Sequence, residues 1–387
     1  MSNSNRLSGD AVIQAFMSKI RFSIEGGFKT REGELQRATR LSAHGVVIAT
    51  FICAALASVL LTAPLTPGLT QSSKKKSAPK DENVPLGRLS PNTRKLSNIS
   101  AVTYITGGTY ECSGAVATLD GAGVLFVDDG KTDQVFYMPV NKLGKQAGAV
   151  QAIPLGASIE DPEGITHFGS RYLIIGSHST VESDTTAGAA LFDFDPVAKT
   201  VSNLAVVRGL RKFLLDNVPE LKPWANKTSV DGGLNIEGAA FDPNPQRPRV
   251  LFGLRGPLLN GNALLVAVRT RDRSAALTVE NLELDEPNAI QLNLNGQGIR
   301  DIEYDSRLRA FLIISGSPEN EKKKDFTLWI WSTDPIHAGR LATPREQALL
   351  SKQFTPEGIT HLKIDNHEFI FVLGDRNCYA KIDYVAR

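Results

Sequence analysis

Carboxylates recur in this chain in one short word. Asp161-Pro-Glu-Gly-Ile-Thr-His167 returns almost unchanged as Thr355-Pro-Glu-Gly-Ile-Thr-His361, with looser copies at Tyr110-Glu-Cys-Ser-Gly-Ala115, Asn235-Ile-Glu-Gly-Ala239 and Gly298-Ile-Arg-Asp-Ile302. The words supply Glu111, Glu163, Glu237 and Glu357, with Arg300 and Asp301 in the degenerate copy. If the fold gathers them, the carboxylates repel one another, and a divalent cation, cationic side chains or bound protons must compensate. Hard oxygen donors of this kind suit Ca²⁺ or Mg²⁺, so Glu111, Glu163, Glu237, Asp301 and Glu357 are the candidate metal ligands. A metal there would bring an activated water.

A second group stands after the apolar run that follows each word: Asp128 and Asp129, His178, Arg255, Ser317, and Asp375 with Arg376. Arg255 and Arg376 could hold an anionic group bidentately, His178 could move a proton near neutral pH, and Asp375 adds a carboxylate. His178, Arg255, Asp375 and Arg376 are therefore the candidate catalytic residues. This group differs from copy to copy, as a ligand site requires and a purely structural repeat does not. The competing reading of the words themselves is structural: a Glu-Gly opening each unit could bond a neighbouring backbone, with glycine permitting close approach.

The elements that must position these residues follow from the spacing. The words lie roughly 50 to 75 residues apart, in the range of propeller and solenoid repeats. Each precedes short apolar runs such as Val124-Leu-Phe-Val127 and Val135-Phe-Tyr-Met138, or Phe311-Leu-Ile-Ile314 and Thr327-Leu-Trp-Ile-Trp331. Runs of this kind, punctuated by Gly, Asp and Asn, are strands. Repeated units of this kind predict an all-β propeller of five blades, or six if one unit has lost its word. In a blade the innermost strand starts where the second ends, so both groups of residues open on one face. The strand around Asn98–Ile105 is the candidate for closing the ring against the last blade. Gly209–Val218 has helical apolar spacing and is expected as a short helix outside the ring, either a lid or a packing insertion.

The head of the chain differs in character. Residues 1–43 carry mixed charge and are expected to be cytoplasmic; residues 44–65 contain a charge-free apolar run long enough for a signal anchor or transmembrane helix. A leader with Asp10, Glu25, Glu32 and Glu34 favours an uncleaved anchor, while a cleaved, secreted form stays open. Residues 66–97, rich in Pro, Ser and Lys, are expected as a flexible linker, and 98–387 as the propeller. The expected location is thus membrane-anchored with an exported propeller. A net charge of +2 over 387 residues argues against nucleic acid as a partner. The 3 cysteines cannot form a disulfide scaffold. Cys112 and Cys378 fall in the first and last units, which a ring makes neighbours, and their bonding stays open. His167 and His361, in the near-identical words, are expected to serve symmetric structural roles.

With these words in hand, residues 98–387 resemble the domain-of-unknown-function 3616 family. The likeness rests on Glu-Cys-Ser-Gly-Ala115, Asp-Pro-Glu-Gly-Ile165, Ile-Ile-Gly-Ser-His178, Gly-Gly-Leu-Asn-Ile-Glu-Gly238, Gly-Leu-Arg-Gly-Pro257 and Gly-Ile-Arg-Asp-Ile302. More distantly the chain is similar to esterase-like phytase propellers and to sugar lactonases that place a divalent ion in the channel. The resemblance implies the fold and transfers no settled activity.

Two functions are compatible with these residues. One is an exported hydrolase of anionic phosphate or carboxylic esters using a Ca²⁺- or Mg²⁺-type site. The other is a non-catalytic propeller binding a small anionic ligand or a partner at the cell surface. Oligomeric state is not legible.

Overall fold

The computed structural model describes residues 87–89, 96–180, 187–272, 276–318, 326–332, 341–342, 344–350 and 354–384. The expected anchor at 44–65, and the segment before it, lie outside the described residues. Among the described residues, no helix is long and apolar enough to cross a membrane.

Five antiparallel sheets form the blades. Blade 1 is β4 (Cys112–Ala117), β5 (Gly123–Asp128), β6 (Gln134–Pro139) and β7 (Gln151–Pro154). Blade 2 is β8 (Pro162–Phe168), β9 (Arg171–Gly176), β10 (Ala187–Asp195) and β11 (Thr200–Arg208). Blade 3 has β12 (Asn235–Asp242), β13 (Arg249–Gly256) and β14 (Ala263–Thr270), then a fourth strand in two pieces, β15 (Leu282–Leu284) and β16 (Ile290–Leu292), both paired to β14. Blade 4 has β17 (Gly298–Asp305), β18 (Ala310–Gly316), β19 (Phe326–Trp331) and β21 (Arg345–Leu350). The short β20 (Leu341–Ala342) crosses to the edge of blade 3. Blade 5 has β22 (Pro356–Ile364), β23 (His367–Gly374) and β24 (Cys378–Tyr384).

Each sheet buries both faces because successive strand residues point to opposite sides. In β5, Leu125 and Val127 pack with blade 2, while Val124 and Phe126 pack with blade 5. The same alternation produces a hydrophobic cluster at every seam: blades 1–2, 2–3, 3–4, 4–5 and 5–1. Five seams for five sheets is a closed ring. Fully burying one of these aliphatic side chains is worth about 1.5–3 kcal/mol. The aromatic pairs at the seams, such as Phe126–Phe136 with centroids 5.3 Å apart, add to this.

The ring closes as the sequence predicts. Blade 5 takes its outer strand from the head of the domain, β2 (Leu96–Ile99) with β3 (Thr103–Tyr104), both antiparallel to β24. A further strand, β1 (Gly87–Leu89), adds to the outer edge of blade 4 against β21. Strand pairing therefore begins inside the stretch expected as linker. The short polar composition of that stretch hides it.

The helix expected near 209–218 is α1 (Leu210–Asn217). Leu210, Phe213, Leu214 and Val218 pack into the seam between blades 2 and 3. It is a packing insertion above that seam. Its Arg211 is buried, donating to the carbonyls of His178 at 3.3 Å and Ala225 at 3.0 Å.

Candidate functional site

Every innermost strand carries a β-bulge within its word. Pairing slips between Pro162 and Gly164, Ile236 and Gly238, Ile299 and Asp301, Pro356 and Gly358, and Cys112 and Ala115. The extra residue is Glu163, Glu237, Arg300, Glu357 and, in blade 1, Ser113. A bulge bends the strand and re-aims the extra side chain, which is why bulges accumulate beside sites. The glycine after each glutamate is packed closely against the next blade. A Cβ on Gly164 would lie 3.0 Å from the Ala239 nitrogen of the next blade, and one on Gly358 would lie 2.6 Å from the Ser113 carbonyl. The structural half of the Glu-Gly reading thus holds for the glycines.

Blade 1 corrects the sequence alignment. Glu111 precedes β4 and is exposed, two residues short of the bulge; Ser113 occupies the glutamate position and is buried. Matching Gly114 with Gly164, rather than glutamate with glutamate, finds it.

On the side of blades 3 to 5 the carboxylates are held by arginines. Arg300 is buried, with Nε 3.1 Å from Glu237 Oε2 and Nη2 paired to Glu357 Oε1. Arg255 Nη1 donates to Glu237 Oε1 at 2.8 Å and its Nε to the Ser317 carbonyl at 3.1 Å. Asn235 Nδ2 adds a bond to Glu237 Oε1 at 3.1 Å.

Asp301 faces the other way. Its carboxylate accepts the N–H of Ile302 at 2.8 Å and of Ile359, in blade 5, at 2.7 Å. It caps the otherwise unpaired inner edge of the neighbouring strand, a task that Thr166 performs for Phe241 and Thr360 for Ala117. Burial pushes the Asp301 carboxyl well up despite these bonds. As a metal ligand it is misplaced, because its oxygens are spent on backbone.

On the side of blades 1 and 2 the carboxyls crowd without such a clamp. Burial and the neighbouring carboxylates Glu237 and Asp161 push Glu163 well above the usual range, with Arg300 opposing. Asp129 is pushed up to about 6 by burial and by Glu111, Asp161 and Asp128. Asp129 Oδ1 is buried with no hydrogen-bond partner among the described residues. Asp161, at φ 50°, accepts the Ser177 N–H at 2.9 Å on its carbonyl and the Ser177 hydroxyl on its carboxylate. Thr355 repeats the conformation at φ 46°, its carbonyl accepting the Asp375 N–H at 3.0 Å. Positive φ before proline is a strained conformation for both, and it sets the entry to the bulges that aim Glu163 and Glu357.

The remaining predicted residues stand apart. His178 is buried beneath the α1 insertion, its ring against Gly188. Burial lowers its pKa to about 4, and its charged neighbours are Arg211 and Glu160 rather than the ring of glutamates. Arg376 is exposed, and its guanidinium makes no ion pair among the described residues; Asp375 is half-buried beside it. Asp128 is buried and caps its own turn, accepting the N–H groups of Glu111 and Gly130 and pairing with Lys131.

His167 and His361 lie at the far ends of their strands, bonded to the Gly169 carbonyl at 3.2 Å and to Ser306 Oγ at 3.3 Å. Cys112 and Cys378 are both free. Cys112 packs at the seam of blades 5 and 1, and Cys378 at the seam of blades 4 and 5, so they lie on opposite faces of blade 5.

Among the described residues, no group of three or more His, Cys, Asp or Glu is arranged to hold a metal ion. An ion bridging Glu237 and Glu357 would have to displace the Arg300 guanidinium. The residues there do not fit a divalent ion, and no chemistry is routed through one.

The sequence profile of a family described as Protein of unknown function (DUF3616) matches residues 194–353. Over that stretch the chain is similar to this family. The matched segment runs from the end of β10 to the linker before β22, so it includes Glu237, Arg255, Arg300 and Asp301. No curated protein sequence matches the chain.

Among solved structures, the chain is similar to the holo form of the pyranose dehydrogenase PQQ domain from Coprinopsis cinerea. The TM-score is 0.42 at 12% identity, covering 76% of this chain and 98% of that one. For the apo soluble aldose sugar dehydrogenase of Escherichia coli the score is 0.40 at 11% identity, covering 75% and 100%. A protein of unknown function from Bacteroides thetaiotaomicron VPI-5482 scores 0.32 at 12% identity, covering 75% and 76%. Likeness at these scores and identities carries no argument about what this chain does.

Proposed function

We propose that the mouth formed by the five bulges is the site of a hydrolase acting on small anionic esters by carboxyl acid–base chemistry. The observation that carries this reading is the pair of raised carboxyls, Glu163 and Asp129, on one side of a mouth whose other side is held by arginines. A carboxyl whose hold on its proton is strengthened by burial can give that proton to a leaving alkoxide, and one with a pKa near 6 can take a proton from an attacking water. In that scheme water adds to the ester carbon or phosphorus, Asp129 receives the water's proton, and the alcohol leaves with the proton of Glu163. Arg255, which already reaches Glu237 at the mouth, is the cation nearest to meet the anionic end of the ester.

The test is hydrolysis of p-nitrophenyl phosphate and of the monoanionic mono-p-nitrophenyl succinate by the purified full chain over pH 4 to 10. The expected profile is bell-shaped, with its acid limb near 6, and Glu163→Gln lowers the turnover by about two to four orders of magnitude while the protein stays folded. No turnover of either ester class above the Glu163→Gln background contradicts the proposal.

A second reading, ligand binding without turnover, is favoured by the ion pairs that already tie Glu237 to Arg255 and Arg300. It calls for saturable binding of an anionic ligand that weakens in Arg255→Ala. We also propose that the apolar stretch within residues 44–65 anchors the chain in a membrane with the propeller exported. Recovery of the full chain in the soluble fraction without detergent would contradict that.

A further inference from the structure

We infer that Arg300 is the resident cation of this propeller, standing in the chain itself where a bound divalent ion would otherwise compensate the ring of glutamates. Four of the five bulge positions hold Ser113, Glu163, Glu237 and Glu357, and the fifth holds the only cation. That cation is not a rim group. Its side chain is 4% exposed, reaches the glutamates of both flanking blades, and passes 5.8 Å from the Phe326 ring centroid.

The substitution is paired with its neighbour. Where other words follow the bulge with glycine, this one has Asp301, whose carboxyl caps the blade 5 edge. The degenerate word thus pairs its one cation with an edge cap instead of a glycine.

A guanidinium differs from a metal ion in what it allows. It is permanently protonated, binds carboxylates through fixed planar donors and carries no exchangeable water. A mouth compensated by Arg300 needs no divalent ion to fold or to hold Glu237 and Glu357 in place, and it offers no metal-activated water. The inference holds whatever ligand the mouth accepts. It also implies that the glutamates would accept an ion once the guanidinium is gone, since oxygens from three blades would then face one another with only Arg255, on Glu237, left as an ion-pair partner.

The test is terbium luminescence sensitised by the protein's tryptophans, with Ca²⁺ as competitor, on the full chain and on Arg300→Ala. The native protein is expected to show no saturable signal below about 1 mM terbium, and an unfolding temperature unmoved by Ca²⁺ or by a chelator. Arg300→Ala is expected to bind terbium at least about tenfold more tightly than any native signal, with displacement by Ca²⁺. A variant that is unfolded in chelator and folds when Ca²⁺ is added supports the inference equally.

Two outcomes overturn it. One is native binding of Ca²⁺ or terbium that Glu237→Gln removes. The other is an Arg300→Ala protein that binds neither ion when folded, or that stays unfolded with Ca²⁺ present.

Discussion

The two sides of the propeller mouth are built on the same bulge and solve the same electrostatic problem differently. On the side of blades 3 to 5, Glu237 and Glu357 are neutralised by Arg300 and Arg255 at ion-pair distance. On the side of blades 1 and 2, Asp129 and Glu163 are pushed toward their protonated forms by burial and by other carboxylates. One side is closed by internal pairing and is structural in its energetics. The other retains carboxyls poised to exchange protons, which is the property a reacting group needs.

The largest effect that would break this contrast is at Arg300. Removing one partner of a buried pair strands the other charge, so Arg300→Met without added ions should cost about 3–5 kcal/mol, measured by denaturant unfolding. A loss below 1 kcal/mol would mean that the arginine side is not held by its pairs. Glu163→Gln should do the reverse: little change in unfolding, with ester turnover down by about two to four orders of magnitude. A Glu163→Gln protein with full turnover would assign the proton donor elsewhere.

His178 gives a control outside both sides. Its folded pKa, about 4, lies below the ordinary histidine value. The neutral ring therefore contributes stability that is present above about 6.5 and is lost as pH falls through 4. Native unfolding free energy should decline over that window, and less steeply in His178→Gln.

The smallest effect is expected at Asp129. Its folded pKa is raised, so its contribution is present below the unfolded value and lost as pH rises through about 6. Asp129→Asn should then stabilise the protein at pH 8 by about 1 kcal/mol, allowing for solvent screening of a half-buried group, and leave it unchanged at pH 4. Equal stabilisation at both pH values would tie the effect to packing instead.

Much of the architecture was legible because repetition and strand alternation are properties of local sequence. The five words marked five innermost strands, and the strand near Asn98–Ile105 found its partner in β24. β1 was not legible: Gly87–Leu89 has no apolar pattern, and its pairing depends on an edge nearly 260 residues away in the chain. Convergence of glutamates at the words was readable, but the residue that answers their charge was not obvious. Arg300 looked like decay of a ligand set, whereas it is the compensating group. Glu111 lies two residues before the bulge that Ser113 occupies, a register that letter identity alone does not show. His178 lies beneath the α1 insertion, whose landing place is set by tertiary packing, which local sequence does not encode.

The asymmetry of the mouth is tested most directly by carboxyl carbon-13 NMR titration of glutamate-labelled full chain, with the Glu163 signal assigned by its loss in Glu163→Gln. The account expects Glu163 to take up its proton well above the ordinary glutamate range. It further expects that value to fall when Asp161 is replaced by Asn. Titration of Glu163 at an ordinary carboxylate pKa, insensitive to Asp161, would contradict it.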